Sequence, residues 1–457
     1  MPHISVHCLR SKDHGGGAAL VRVQFGRPAI ASKQLWAVRD SGATLSLMKL
    51  NDEEQDILAG KFGPAAQQAL QHQLKVGRFF GAEDFVPITQ AHVMADTESL
   101  GESGVRWLEN LVAISEGRAQ VCVPTISDPR GTDFTKATFL GQKAAMLDLE
   151  RRAISAFTKL GVVMTDTCIP YQTIQAPARN EHVAFGDTGV VIYSNSVCGA
   201  RSNFEGGPSA LAAGLTGRTP RYGFHCPAQR RATVQILVDA TPISLNDWGA
   251  LGAVIGRIAG NYWAVPVIEG IEQAPRSDQL KHFGAAMASF GSIALFHLVG
   301  LTPEAIRLSD VAPGKLPLHH VARADIKALQ NSYHRDGRVD VVVFSAPQLS
   351  LFELRDLANL CEGRRFCVPL LAVTSPQVKP DADRMGYTGR IEAAGGTVLS
   401  GMCFYQSYAR EIAEANGWRS LATNSAKLVN ILGGYGYQPT LASMEECVEA
   451  AVDGKLM

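Results

Sequence analysis

TDTCIPYQ (165–172) and NEHVAFGDTGVVIYSNSVCGARSNFEGGPSALAAGLTGRTPRYGFH (180–225) set two cysteines, three asparagines, three arginines and a Gly-Gly-Pro turn between short apolar runs. A purely structural core segment does not need so many polar groups, so the apolar runs read as strands that deliver polar loops. Residues 161–164 enter Thr165–Cys168, and residues 190–194 enter Asn195 and Ser196. Upstream, residues 119–123 enter Pro124 and Thr125 in the same way. Downstream, residues 339–344, 367–374, 396–400 and 420–422 continue the strand series, and Ser350 with Glu353 forms an S-x-x-E capping box opening a helix to Cys361. Strands alternating with helices predict an α/β architecture with parallel sheets.

Ligands of open α/β sheets bind beyond the carboxyl ends of the strands. That rule marks Thr125, Asp128, Cys168, Asn195 and Arg201 in the first half of the chain. In the second half it marks Ser345, Gln348, Cys403, Asn424 and Ser425. The N-terminal 47 residues read differently, with two short strand patterns at 19–25 and 34–38. From Leu50 the pattern sharpens: Asn51 caps a helix with Asp52, Glu53 and Glu54 in its first turn, and Gly63-Pro64 breaks it and opens a second helix to Val76. The expected division is an N-terminal extension (1–47), a catalytic core (48–325) and a C-terminal α/β subdomain (326–457).

A chain of 457 residues, 46% hydrophobic, buries a large core. Lys+Arg and Asp+Glu balance at 43 each, so no net field favours nucleic acid or an anionic membrane, and a small-molecule substrate is expected instead. Residues 283–301 lack Asp, Glu, Lys and Arg over about a transmembrane length, yet contain three glycines and His297; a buried helix and strand is the expected form. Nine cysteines without a CxxC pair argue against a disulfide framework and a zinc ribbon, which fits a reducing, cytoplasmic location. Oligomeric state is not encoded in these patterns.

The motifs AHV (91–93), VPTISDPRGTD (123–133), TDTCIPY (165–171) and the long 195–225 segment resemble the aconitase X family. So do LFHLVGLTPEA (295–305), SLFELRDLANL (350–360), GGTVLSGMC (395–403), TNSAK (423–427) and SMEECVEAAVDGK (443–455). The resemblance covers residues from about Leu50 to the end. It implies an aconitase-like multi-subdomain α/β fold and an iron–sulfur hydro-lyase of a small hydroxy acid, such as a hydroxyproline or a phosphomevalonate. It further implies cluster cysteines at Cys168 and Cys403 and a Gly-Cys-Pro-His segment between them. Here that segment reads Ser345-Ala346-Pro347-Gln348, with alanine at the cysteine and Gln348 at the histidine. An alanine methyl offers iron no donor.

Other departures point the same way. The family's Glu-Ser-Ser-Ala reads Asp187-Thr188-Gly189-Val190, and its His-Tyr-Ala-Pro run after TNSGK reads Leu428-Val429-Asn430-Ile431. The family's small swivelling domain is not visible, so either a separate small subunit completes the site or the protein works without it. The favoured expectation is a cofactor-independent isomerisation, elimination or cyclisation, pericyclic reactions included, of a specialised metabolite. Retained iron–sulfur dehydratase chemistry and a non-catalytic metabolite-binding role are the alternatives.

Among individual residues, His92 falls in a family motif and titrates near neutrality, so with Asp187 it is the candidate acid–base residue. Arg201 and Arg218 suit bidentate carboxylate recognition, with an ion pair as the bland alternative. Gln348 joins the catalytic candidates by its position. Thr125, Asp128, Asn195, Ser196, Asn203, Ser345, Asn424, Ser425 and Lys427 are candidate substrate contacts; turn capping is the competing role for the asparagines and serines. His297, inside an apolar run, is expected to be a core residue.

Overall fold

The computed structural model describes residues 48–239, 242–312, 314–335 and 337–456. The strand patterns expected at 19–25 and 34–38 lie outside the described residues. Asn51 caps the helix Asp52–Leu58 as expected, in a reciprocal box with Glu54, and Gly63 precedes the helix Pro64–Phe79.

Three parallel sheets organise the rest. The first orders Thr125–Ser127, Ala91–Val93 and Ala184–Phe185 side by side. The second runs His297–Leu298, Pro266–Glu269, Val234–Val238 and Leu318–Val321. The third runs Thr397–Ser400, Leu370–Thr374, Val341–Leu349, Ser420–Thr423 and Gln438–Leu441. Val341–Leu349 is buried at every position, as a strand covered on both faces must be. The helix Leu351–Cys361 starts at the expected Ser350–Glu353 box.

Residues 283–301 divide between the helix Ser277–Gly291 and the strand His297–Leu298, both in the second sheet's core. Gly252 and Gly256 let the helix Leu245–Ala259 lie directly against the backbone of Phe283, Met287 and Gly291, leaving no room for a Cβ. The apolar stretch is therefore a helix-packing surface. No helix among the described residues is long and apolar enough to cross a membrane.

Three strand expectations fail. Residues 190–194 belong to the helix Thr188–Tyr193 and the π-helical turn Ser194–Cys198, because the Asp187 carboxylate caps the Val190 N–H and starts a helix. A short apolar run buried all round carries no period that separates strand from helix. Residues 119–123 make only isolated backbone bonds, Val121 to Leu160 and Cys122 to Gly214, and the strand begins at Thr125. Residues 161–164 contribute a single bridge, Val163 to Ile126.

Candidate active site

The carboxyl ends of the first and third sheets converge. Asp128 and Asp187 follow strands of the first; Cys403, Ser425 and Lys427 follow strands of the third. Ser345–Gln348 reach the same place by leaving the sheet: five residue steps from Phe344 to Leu349 span only two steps, Ala372 to Thr374, on the neighbouring strand. The excess forms a bulge in which Ala346 takes a positive φ of 53°. Ser425 caps the helix Ala426–Leu432 and donates to the Ala346 carbonyl at 2.6 Å, locking the bulge against the last strand crossover.

Charge in this pocket is concentrated on one pair. Lys427 Nζ lies 3.4 Å from Asp187 Oδ2, both side chains about 95% buried, and 5.4 Å over the Tyr405 ring. Burial works against the ammonium, but Asp187 and the other acidic groups nearby outweigh it and raise its pKa, so Lys427 stays charged. The surrounding groups are held neutral. Burial first, and the Asp187 charge second, push Asp128 well above the carboxylate range. Burial likewise raises the phenols of Tyr171 and Tyr405, the Cys168 thiol, and the Cys403 thiol to about 12.

His92 is fully buried and neutral, since burial lowers its pKa. Its Nε2 is 2.9 Å from the Thr167 carbonyl, so Nε2–H donates there, and the same nitrogen lies 3.6 Å from Asp128 Oδ1. His92 Nδ1 and Asp128 Oδ1 have no hydrogen-bond partner in the protein. Orphaned polar atoms in a pocket of this kind are where a substrate or a water is bound. Gln406 donates to both Asp128 and Asp96, and burial pushes Asp96 up to about 6. The 490 Å³ surface groove lined by His72, Trp107 and Leu111 contains none of these residues.

Cys168 and Cys403 border the same pocket: the Gln348 N–H donates to Cys168 Sγ at 3.4 Å, and Ser345 Oγ lies 3.8 Å from Cys403 Sγ. These thiols would be two of the three cluster donors that the resemblance implies. Between Ser345 and Gln348 stands the Ala346 methyl, which has no lone pair for iron, and the Gln348 amide is engaged by backbone partners. Among the described residues no group of three or more His, Cys, Asp or Glu side chains is placed to hold a metal ion. The residues present do not fit a three-thiolate cluster.

Several sequence candidates are elsewhere. Arg201 pairs with His182 at the entry of the Ala184–Phe185 strand, the end opposite Asp187, and donates to the His225 carbonyl and Asn180. Arg218 is an ion-pair residue, 2.8 Å from Glu53 and 3.1 Å from Glu54, tying the first helix to the core. The Asn195 amide bonds Ser202 and the Ala294 carbonyl; Asn203 bonds Tyr222, Phe224 and Tyr262; Ser196 accepts from Phe296 N–H. Thr125 Oγ1 donates to the Val123 carbonyl. These are loop-bracing contacts, and polar composition alone does not separate bracing from binding. Asn424 is buried at the strand end beside Ser425. His297 is a core residue bonded to the Arg230 carbonyl.

The sequence reading missed Tyr171, Tyr405 and Lys281. Lys281 is fully buried, donates to the Gln348 carbonyl at 3.0 Å and pairs with Glu353, which also bonds His282. A lysine in an amphipathic helical stretch gives no sign that it points inward. Only TDTCIPY, which ends on Tyr171, and GGTVLSGMC, which stops two residues short of Tyr405, carried any signal.

Family models for the aconitase X first, second and third domains match residues 47–228, 232–333 and 339–453. The phosphomevalonate dehydratase large subunit of Thermococcus kodakarensis is 34% identical over 88% of this chain and 100% of that protein. The cis-3-hydroxy-L-proline dehydratase of Pseudomonas aeruginosa is 31% identical over 89% of this chain and 70% of that protein. The crystal structure of Thermococcus kodakaraensis aconitase X in its holo-form superposes with a TM-score of 0.80 at 32% identity, over 88% of this chain and all of that one. With its parallel sheets converging on this pocket and three domain models spanning nearly all described residues, the chain belongs to the aconitase X family.

Proposed function

We propose that this chain is a lyase of the dehydratase type, removing water from a small hydroxylated carboxylic acid held in the Asp187–Lys427 pocket. The dehydratase relatives support the reaction class, and the buried Asp187–Lys427 pair among neutral acids carries the reading. Lys427 holds the substrate carboxylate and stabilises the negative charge that develops when the neighbouring C–H is broken. Asp187 accepts that proton through Oδ2, while its Oδ1 remains on the Val190 N–H. A neutral acid, Asp128 or Tyr405, gives a proton to the departing hydroxyl, which leaves as water; proton return from Asp187 resets the site. The names of relatives described as large subunits support a small partner subunit for this chain as well. The test is turnover of (R)-5-phosphomevalonate and cis-3-hydroxy-L-proline, with wild type beside Asp187→Asn. No water loss from either, in the presence of a small subunit, would count against this reading.

A second reading keeps the pocket and changes the reaction: a cofactor-independent isomerisation, elimination or cyclisation of a more apolar metabolite. The Ala346 methyl where the family has a cysteine favours it, because orientation and hydrogen bonding by neutral acids can accelerate such steps. Turnover of apolar substrates with no response to added iron and sulfide would support it over the first.

A further inference from the structure

We propose that Gln348 is a positioning residue whose side-chain amide ties together the loops that wall the catalytic pocket. The inference rests on the reading of this pocket as the active site. Gln348 is fully buried, and both N–H groups and the oxygen of its amide have backbone partners. Oε1 accepts from the Cys168 N–H at 3.2 Å, and Nε2 donates to the Asp166 carbonyl at 3.1 Å and the Met402 carbonyl at 3.2 Å. One side chain thus joins the 165–169 loop, the 345–348 bulge and the loop bearing Cys403.

The main chain of Gln348 is fixed as firmly. Its N–H donates to Cys168 Sγ, and its carbonyl accepts from the buried Lys281, whose ammonium is anchored by Glu353. Ser345 adds a second tie, accepting from the Phe404 N–H at 3.1 Å next to Cys403. These ties act on strained backbone: Asp166 and Ala346 both have positive φ, 52° and 53°, which non-glycine residues adopt only where surroundings hold them. Removing the amide leaves one N–H and two carbonyls unpaired in the interior, and each draws its loop toward water. A metal cluster bound by three loops would supply such cross-linking by coordination. Here a carboxamide supplies it by hydrogen bonds, so the pocket wall is ordered by the chain's own groups.

The test uses the full-length protein, with buried thiols as reporters. Cys168 and Cys403 border the tied loops; Cys361 and Cys447 are buried in a different cluster against the helix Met444–Asp453. In Gln348→Leu, native iodoacetamide labelling followed by peptide mass spectrometry should show Cys168 and Cys403 reacting at least about tenfold faster, with Cys361 and Cys447 unchanged. Unchanged labelling of Cys168 and Cys403, or equal acceleration at all four, overturns the proposal. Gln348→Glu keeps the acceptor for Cys168 N–H but turns a carboxylate toward the Asp166 and Met402 carbonyls, so Cys403 should be exposed more than Cys168.

Turnover separates the proposal from the functional reading: loosened loops should lower kcat by more than tenfold, with a smaller change in KM. Selective labelling without any dehydratase activity in the wild type would leave the positioning role standing and remove the assigned reaction. Should neither variant be recovered folded, amide exchange in the wild type decides. The Cys168 amide should exchange with the slowest core amides, and fast exchange overturns the proposal.

Discussion

Replacing Lys281 with methionine should destabilise the protein by about 3 kcal/mol while filling nearly the same space. Lys281 is fully buried and pairs with Glu353, itself 4% exposed, in a network that includes His282 and Asp278. Burial alone would raise the Glu353 carboxyl, but Lys281 first and His282 second hold it down to about 2, against an ordinary value of 4.5. A depression of that size corresponds to about 3 kcal/mol at roughly 1.4 kcal/mol per pH unit. The known cost of removing one member of a buried ion pair, about 3–5 kcal/mol, agrees with it.

Because the folded pKa is depressed, this contribution is complete above the unfolded value near 4.5 and is lost as pH falls toward 2. Urea unfolding at pH 7, followed by fluorescence and circular dichroism, measures the loss. The double variant Lys281→Met, Glu353→Gln should recover at least half of it, because it removes the uncompensated charge and keeps an acceptor for the Ser350 N–H. A single variant within about 1 kcal/mol of wild type, or a double variant no better than the single, would refute the reasoning.

Other outcomes follow from the same geometry. Asp187→Asn retains an N-cap for the helix Thr188–Tyr193 and should leave the melting temperature within a few degrees while lowering kcat/KM at least about a hundredfold, equivalent to roughly 2.7 kcal/mol in the barrier. Cys168→Ala and Cys403→Ala should each keep activity within about tenfold of wild type; steady-state kinetics checks this, and a hundredfold loss in either would restore a direct role for the thiols. Arg218→Ala should cost about 2 kcal/mol in urea unfolding by leaving the 5%-exposed Glu54 carboxylate without its partner, with turnover unchanged. Burial raises Asp96 to about 6 and Glu150 to about 7, so the folded state holds more protons than the unfolded one, and their contribution to stability falls as pH rises from about 4 to 7. Thermal melts across that range read the slope; a shallower fall in a variant with both residues neutralised identifies their share, because burial raises Glu98 and Asp128 as well.

The sequence by itself determined the family, the parallel α/β plan and most of the third sheet. Those strands are short, largely apolar runs followed by cap signals such as Ser350–Glu353, and local chemistry of that kind is written in adjacent residues. It also placed Asp128, Cys168, Gln348 and Cys403 just beyond predicted strands, while Asp187 and Lys427 were singled out by the family motifs that contain them. Only the tertiary structure decided which polar residues line the pocket and which brace loops elsewhere. Arg201, Arg218, Asn195 and Asn203 share the motif-rich stretch with Asp187, yet their partners come from Asn180, Glu53, Ala294 and Tyr262, residues far away in sequence or across a turn. Lys281 and Tyr405 gained their places the same way, Lys281 from the meeting of its helix with the bulge at Gln348 and Tyr405 from the meeting of its loop with Lys427. Local propensity records how a segment folds; which buried charge meets which partner is a long-range packing outcome, and the protonation of this pocket depends on the water that packing removes.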